Sequence, residues 1–190
     1  MRQTMRLGIL GLVAFAIFSF AMVTSENKQI DMAESTIEWV GKKITGQHSG
    51  NIDFKSGHLT FEAEELIGGT FVVNMNSINV TDIEGRSKSK LERHLKSKDF
   101  FGVEENPTSQ LVFKEVKGSA GKYEITADLT IKEITAPVQF ELNLTEHTGI
   151  ASLMIDRTAY DIKYGSASFF DNLKNKAIDN EFQLTVSLKF

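Results

Sequence analysis

At 190 residues, with 21 basic and 25 acidic side chains and a formal charge of −4, the chain is long enough for one domain with a real core. That acidic balance argues against nucleic acid as a partner, which needs a basic face. The absence of cysteine excludes disulfides and any lipid-modified cysteine, and two prolines with no low-complexity stretch or internal repeat give no sign of a linker.

Arg2 and Arg6 precede an uncharged apolar run from Leu7 to Val23, and Ser19-Phe20-Ala21 or Val23-Thr24-Ser25 presents small residues for cleavage. The pattern predicts a secretory signal peptide over residues 1–25, cut after Ala21 or Ser25, and a folded domain over 26–190. An uncleaved membrane anchor competes with it, although the run sits near the lower length limit for a spanning helix. Either way the folded part is expected beyond the inner membrane, in the periplasm, and freely soluble once cut.

Strands are predicted at 35–43, 51–62, 69–78, 110–116, 122–131, 138–145, 150–156 and 178–190. Ile37 and Trp39 share one face of the first, and Phe71, Val73 and Met75 one face of the third. Between 81 and 101 the period changes. Thr81-Asp82-Ile83-Glu84 can form a capping box, and Leu91 with Leu95 makes an apolar pair at helical spacing amid Lys88, Lys90, Glu92, Arg93 and Lys96. One helical insertion is expected at about 82–101. Its apolar stripe is narrow, which places it on a surface or across a mouth, and a plain crossover connection fits equally well.

The later strands alternate more strictly. Tyr123, Ile125, Ala127, Leu129 and Ile131 fall on one face, as do Val138, Phe140, Leu142 and Leu144. In the last strand Phe182, Leu184, Val186, Leu188 and Phe190 oppose Glu181, Gln183, Thr185, Ser187 and Lys189. One antiparallel sheet with this much one-sided apolar surface must be covered or closed on itself. The expected class is all-β, an eight-stranded antiparallel barrel, the count at which a closed barrel can hold one small ligand.

Motifs for chemistry are sparse. His48, His58, His94 and His147 show no His-Glu-x-x-His spacing and no close acidic cluster, so no metal site is expected. No serine lies in a Gly-x-Ser-x-Gly elbow, and Gly68-Gly69 reads as a turn before a strand, so no catalytic residue is assigned and no enzyme is expected. His94 is expected to bond within the structure, with Asp99 as its partner, and Asp82 and Asp99 to act as caps. Lys88, Lys90, Arg93, Lys96 and Lys98 form a basic stripe that reads first as a solvated face, with contact to anionic lipid headgroups as the alternative.

The run His94-Leu95-Lys96-Ser97-Lys98-Asp99-Phe100-Phe101, then Pro107 and Phe113, then Asp128-Leu129-Thr130-Ile131 through Thr135-Ala136-Pro137-Val138, resembles the signature of the YceI-like family of secreted bacterial proteins. The resemblance continues through Asp156-Arg157, Tyr160, Ala177-Ile178 and Glu181-Phe182, so it covers roughly the whole folded part. It implies a lipocalin-like antiparallel barrel around an elongated apolar cavity that takes polyisoprenoid or isoprenoid-quinone chains. The chain departs from the common pattern at Glu133, where glycine is usual, and at Ala136, where a basic residue is usual. The front end, Trp39-Val40-Gly41-Lys42-Lys43 with Thr45-Gly46, His48 and Gly50, looks like one subgroup of the family.

The function expected on this basis is non-catalytic binding, with sequestration or transport of a long isoprenoid-type lipid and no cofactor beyond that bound lipid. The lining is expected from Ile37, Trp39, Phe71, Val73, Leu95, Phe113, Leu129, Phe140, Leu142, Phe182 and Leu184. Phe100 and Phe101 should gate the mouth while pointing to different sides. Tyr160 and Tyr164 should bring hydroxyls to a polar headgroup. Aromatic residues at strand spacing also build plain cores, so a stress-response or structural barrel without ligand remains the first alternative and an enzyme acting on an apolar substrate the second. Expected partners are the lipid, a transient membrane-surface contact and a homodimer, with no nucleic acid.

Overall fold

The computed structural model describes residues 24–190. The predicted leader lies outside them, apart from Thr24 and Ser25. Nine strands follow one another: β1 (Ser25–Gln29), β2 (Thr36–Lys43), β3 (Gly46–Glu62), β4 (Glu65–Val80), β5 (Thr108–Ser119), β6 (Lys122–Ile131), β7 (Ile134–Leu144), β8 (Thr148–Asp156) and β9 (Ile178–Lys189). One helix, α1 (Gly85–Lys96), separates β4 from β5.

All pairings are antiparallel, and eight strands close in the order β3-β2-β9-β8-β7-β6-β5-β4, with β4 returning to β3. The chain is therefore the all-β, eight-stranded barrel with one helical insertion that its alternation implies. The ninth strand, β1, was not expected. It lies on the second half of β3, Ser25 opposite Glu62 and Gln29 opposite His58, where β2 has left that edge. A cut after Ser25 would remove the first residue of this strand, whereas a cut after Ala21 leaves it whole.

Inward faces follow the predicted alternation where the strands are regular. Tyr123, Ile125, Ala127, Leu129 and Ile131 of β6 are all buried. Elsewhere bulges reverse the parity. In β3, Phe54 faces Val73 and Ser56 faces Val72, so Lys55 is an extra residue. The buried positions change from Phe54 to Leu59 and Phe61 across it. A bulge between Phe113 and Glu115 does the same in β5.

The barrel has one short seam. Only Leu142, Asn143 and Leu144 of β7 pair with Ala151, Ile150 and Gly149 of β8. Beyond them the 3-10 turn Arg157–Tyr160 packs between β7 and β9. Tyr160 and Ile162, 1% and 0% exposed, fill the space the missing ladder leaves.

Helix α1 begins without the predicted capping box. Its N-cap is Glu84, whose side chain makes no capping bond. Asp82 instead accepts from the Ser49 N–H at 3.2 Å and meets His48 Nδ1 at 2.9 Å, tying the β4–α1 link to β3.

Candidate functional site

The barrel encloses a cavity of about 320 Å³, at the lower end of the ~300–1,000 Å³ range of small-ligand sites. Each strand delivers its inward residues. Ile37 and Trp39 come from β2, Phe71 and Val73 from β4, Phe113 from β5, Leu129 from β6, Phe140 and Leu142 from β7, and Phe182 and Leu184 from β9. Leu95 of α1, with Phe100 and Phe101 just after it, completes the wall.

Aromatic rings stack along one side. The Phe54, Phe71, Phe113 and Phe140 rings follow one another at 6.0, 5.8 and 5.9 Å between centroids, tilted or edge-on. With Leu142 and Leu188, 1% and 4% exposed, this cluster seals the far end. The opposite end is open, because Lys42, Lys43, Asp179 and Glu181 line the cavity and are exposed to solvent. Along β9 the wall runs from Ile178 at this rim to Leu188 at the closed end. Ten residue steps of strand, tilted as barrel strands are, give a depth on the order of 25 Å.

Helix α1 lies across the open end, with Leu91, His94 and Leu95 turned to the cavity. Phe100 and Phe101 do not point to different sides. Both line the cavity, edge to face at 5.3 Å, because the turn after α1 folds back through bonds from the Phe100 N–H to Ser97 O and the Phe101 N–H to Leu95 O. Phe101 also meets Phe182 of β9 at 6.4 Å.

Neither tyrosine assigned to a headgroup lies on the cavity wall. Tyr160 is spent on the β7–β8 seam, where burial pushes its phenol up to about 12. Tyr164 is 48% exposed and stands edge-on to the His94 ring at 4.4 Å, outside the cavity. His94 makes no bond to Asp99. Its Nε2 is buried and, among the described residues, is the one such side-chain atom without a hydrogen-bond partner. The ring also meets Phe100 at 5.6 Å.

Sequence reasoning missed the polar part of the wall. Ala151, Leu153 and Ile155 are the inward residues of β8, and Arg157 is the next position of the same parity. It lines the cavity while only 2% exposed. Its Nε donates to Asp179 O at 2.9 Å, Nη1 to Ile162 O at 2.6 Å and Nη2 to Ile178 O at 3.1 Å. Its Cζ lies 5.6 Å from the centre of the Phe100 ring. Burial lowers the guanidinium from its ordinary value, and the fields of Asp156 and Asp179 oppose this. The missed signal is the alternation of β8 itself, which runs one step past the last apolar residue. Ile52, Phe54 and Ile78 also line the cavity, beside or beyond the bulges that hide their parity, and Met75 and Leu111 line it on the faces of Val73 and Phe113.

The rim carries charges of both signs, with basic side chains outnumbering Asp179 and Glu181 although the chain is acidic overall. Lys42, Lys43, Lys90, Arg93, Lys174 and Lys176 are exposed around the open end or on the elements bounding it. Of the predicted stripe, Lys88 is engaged with Asn79 and Glu92, and Lys98 with Glu105. Among the described residues no group of three or more His, Cys, Asp or Glu is placed to hold a metal ion.

The model of the YceI-like domain matches residues 29–190. A UPF0312 protein of Photorhabdus laumondii is 35% identical over 107 residues, half of this chain and 55% of that protein's length. The chain thus spans about half of that relative. Protein YceI of Escherichia coli O157:H7 is 30% identical over 145 residues, 74% of this chain and 73% of that one. Among solved structures, Burkholderia cenocepacia BcnA superposes with a TM-score of 0.66 at 20% identity, covering 84% of this chain and 98% of that one. A Campylobacter jejuni YCEI protein gives 0.51 at 15% identity, covering 98% of both. At these identities the two structures speak for the fold alone.

Proposed function

We propose, from the premise that this chain belongs to the YceI-like domain family, that its barrel binds a long apolar isoprenoid-type lipid and shields or ferries it without making or breaking a bond. The observation that carries this is the lumen: a closed apolar tube, sealed by phenylalanines at one end and open under α1 at the other.

The energetics suit such a guest. A prenyl chain has almost no hydrogen-bonding groups, so its affinity comes from leaving water, about 0.8 kcal/mol per buried methylene. Each five-carbon unit therefore contributes on the order of 4 kcal/mol before ordering costs. An unfilled lumen of this depth weighs against a barrel that is only a packed structural module, since packed interiors leave few voids larger than a water.

Loading would occur at a membrane surface. The basic rim favours anionic headgroups, and Ile44, Tyr164, Phe169 and Phe170 stand 65%, 48%, 48% and 51% exposed on the loops beside the mouth. Ile44 N–H bonds Ala177 O, and Ile178 N–H bonds Gly165 O, which fixes both loops to the rim. A periplasmic location, reached through the predicted signal peptide, agrees with such a carrier.

The test is mass spectrometry of an organic extract of the purified protein together with uptake of added isoprenoids. A stoichiometric prenyl lipid, or saturable uptake quenching Trp39, the sole tryptophan, supports the carrier. A repeatably empty protein with no uptake overturns it.

A further inference from the structure

We propose that the cavity holds a polar subsite just inside its mouth, formed by Arg157 and His94, that captures an oxygen-bearing head of the bound amphiphile and so fixes it head-outward and tail-inward.

Two unfilled hydrogen-bonding capacities lie beside the Phe100 ring there. A guanidinium has five N–H donors and no acceptor. Arg157 directs three at the Asp179, Ile162 and Ile178 carbonyls. Two N–H groups, one on each terminal nitrogen, are left over. No carboxylate stands within ion-pair distance of it among the described residues, although Asp156 and Asp179 act on it from further away. His94 adds Nε2, buried and without any partner. Both side chains line the cavity, and both reach the same ring, that of Phe100.

A purely structural Arg157 accounts for the three carbonyl bonds, which hold the 161–177 segment to β9. It does not account for a charged group lining the cavity one step past the end of β8, nor for the unpartnered imidazole nitrogen of His94, another lining residue. Buried polar atoms in folded proteins are almost always satisfied, and the exceptions point to a missing partner. That partner must accept hydrogen bonds, because arginine can only donate. A carbonyl, hydroxyl or carboxylate oxygen at the end of a lipid meets the requirement, whereas a bare hydrocarbon leaves the donors empty at a cost. The imidazole can donate to such an oxygen or accept from a hydroxyl, according to its tautomer.

Position sets the direction. Arg157 lies against Ile178 and Asp179, the rim end of β9, and His94 is on the helix over the mouth. The far end is sealed by Phe71, Phe113 and Phe140. A head held by Arg157 and His94 therefore sends its tail toward the phenylalanines. This rests on the carrier reading, and the experiment separates the two.

The experiment compares geranylgeraniol, its carboxylic acid and the parent hydrocarbon for binding to the purified protein, followed by Trp39 fluorescence and equilibrium dialysis. The two oxygenated ligands are expected to bind about tenfold or more tightly than the hydrocarbon, the equivalent of one or two satisfied hydrogen bonds. In His94→Phe, which keeps an aromatic ring against Phe100, this ratio should fall severalfold, and His94→Gln should restore part of it. Equal binding of all three by the native protein overturns the subsite and leaves the carrier standing. An unchanged ratio in His94→Phe overturns the role of His94. No uptake of any of the three overturns the carrier reading and the subsite with it.

Discussion

The indole of Trp39 occupies the space that a side chain at position 50 would need. Gly50 lies opposite Trp39 in the β2–β3 ladder, and a Cβ there would fall 2.6 Å from the ring carbon Cζ2 and against the Asn79 carbonyl oxygen. The glycine lets the ring lie flat along the wall, with Nε1 donating to Asn51 O at 3.3 Å.

Gly50→Ala is therefore expected to destabilise the barrel by about 1–3 kcal/mol, the usual cost of overpacking, and to move the indole into the lumen. Because Trp39 is the sole tryptophan, its emission shift and a denaturant titration report both effects at once. A variant with native stability and emission would contradict the contact.

Facing is tested on β7, where Phe140 lines the cavity and its neighbour Gln139 is exposed. Phe140→Asp should abolish uptake of an isoprenoid, since an unpaired charge in an apolar tube costs several kcal/mol. Gln139→Asp should leave uptake unchanged. Circular dichroism confirms that each variant folds, and Phe140→Asn serves if the aspartate does not. Equal uptake by the two variants would refute the assignment.

The β6–β7 turn predicts a stabilising change. Lys132 and Glu133 have φ of 51° and 62°, the doubly left-handed geometry of a type I′ turn. Side chains are strained there by roughly 1 kcal/mol. Glu133→Gly should raise stability by about 0.5–1 kcal/mol and Tm by about 1–4 °C for a domain of this size. A fall in Tm would show that the Glu133 side chain does something the turn geometry does not reveal.

Acid should loosen the link between β3 and α1. Burial pushes the Asp82 carboxyl up, but the His48 ring and the Ser49 N–H together hold it below its ordinary value of 3.8. A carboxyl whose folded value lies below its unfolded one stabilises fully above that ordinary value, and its contribution fades as pH falls through the folded value. The stability difference between native protein and Asp82→Asn should thus be constant at mildly acid pH and shrink below about pH 4. Denaturant titrations across that range measure it, and a difference that grows toward low pH would reverse the argument.

Contact with membranes predicts a salt-sensitive signal. Vesicles containing phosphatidylglycerol should cosediment the protein better than phosphatidylcholine alone, and added salt should weaken the effect. Replacing Phe169 and Phe170 by serine should cut binding by about tenfold or more, since each loses apolar area on the order of 1–2 kcal/mol. Equal binding to both vesicle types, or no loss in the double variant, counts against this surface.

The amount legible in the chain varied with the regularity of its strands. β6 and β9 alternate without a break, so Leu129, Phe182 and Leu184 could be set inward from sequence, and the structure places them on the cavity wall. β3 and β4 are bulged, so Ile52, Phe54 and Ile78 could not be counted across a whole strand, whereas Met75 keeps the face of Phe71 and Val73. Tyr160 shows a different limit. Its burial follows from a ladder that stops after three pairs between β7 and β8, and nothing local in the sequence announces that gap.

Sequence alone determined the one-sided strands, the helical break between them and the need to cover or close the sheet, because period-two alternation leaves an apolar face that water will not tolerate. Tertiary structure alone decided that the closed barrel stays hollow, since lumen volume depends on how all eight inward faces meet. It also decided that Arg157 and His94, sixty-three positions apart in the chain, reach one phenylalanine ring at the mouth. Such a meeting is fixed by strand order and tilt, quantities carried by no single stretch of residues.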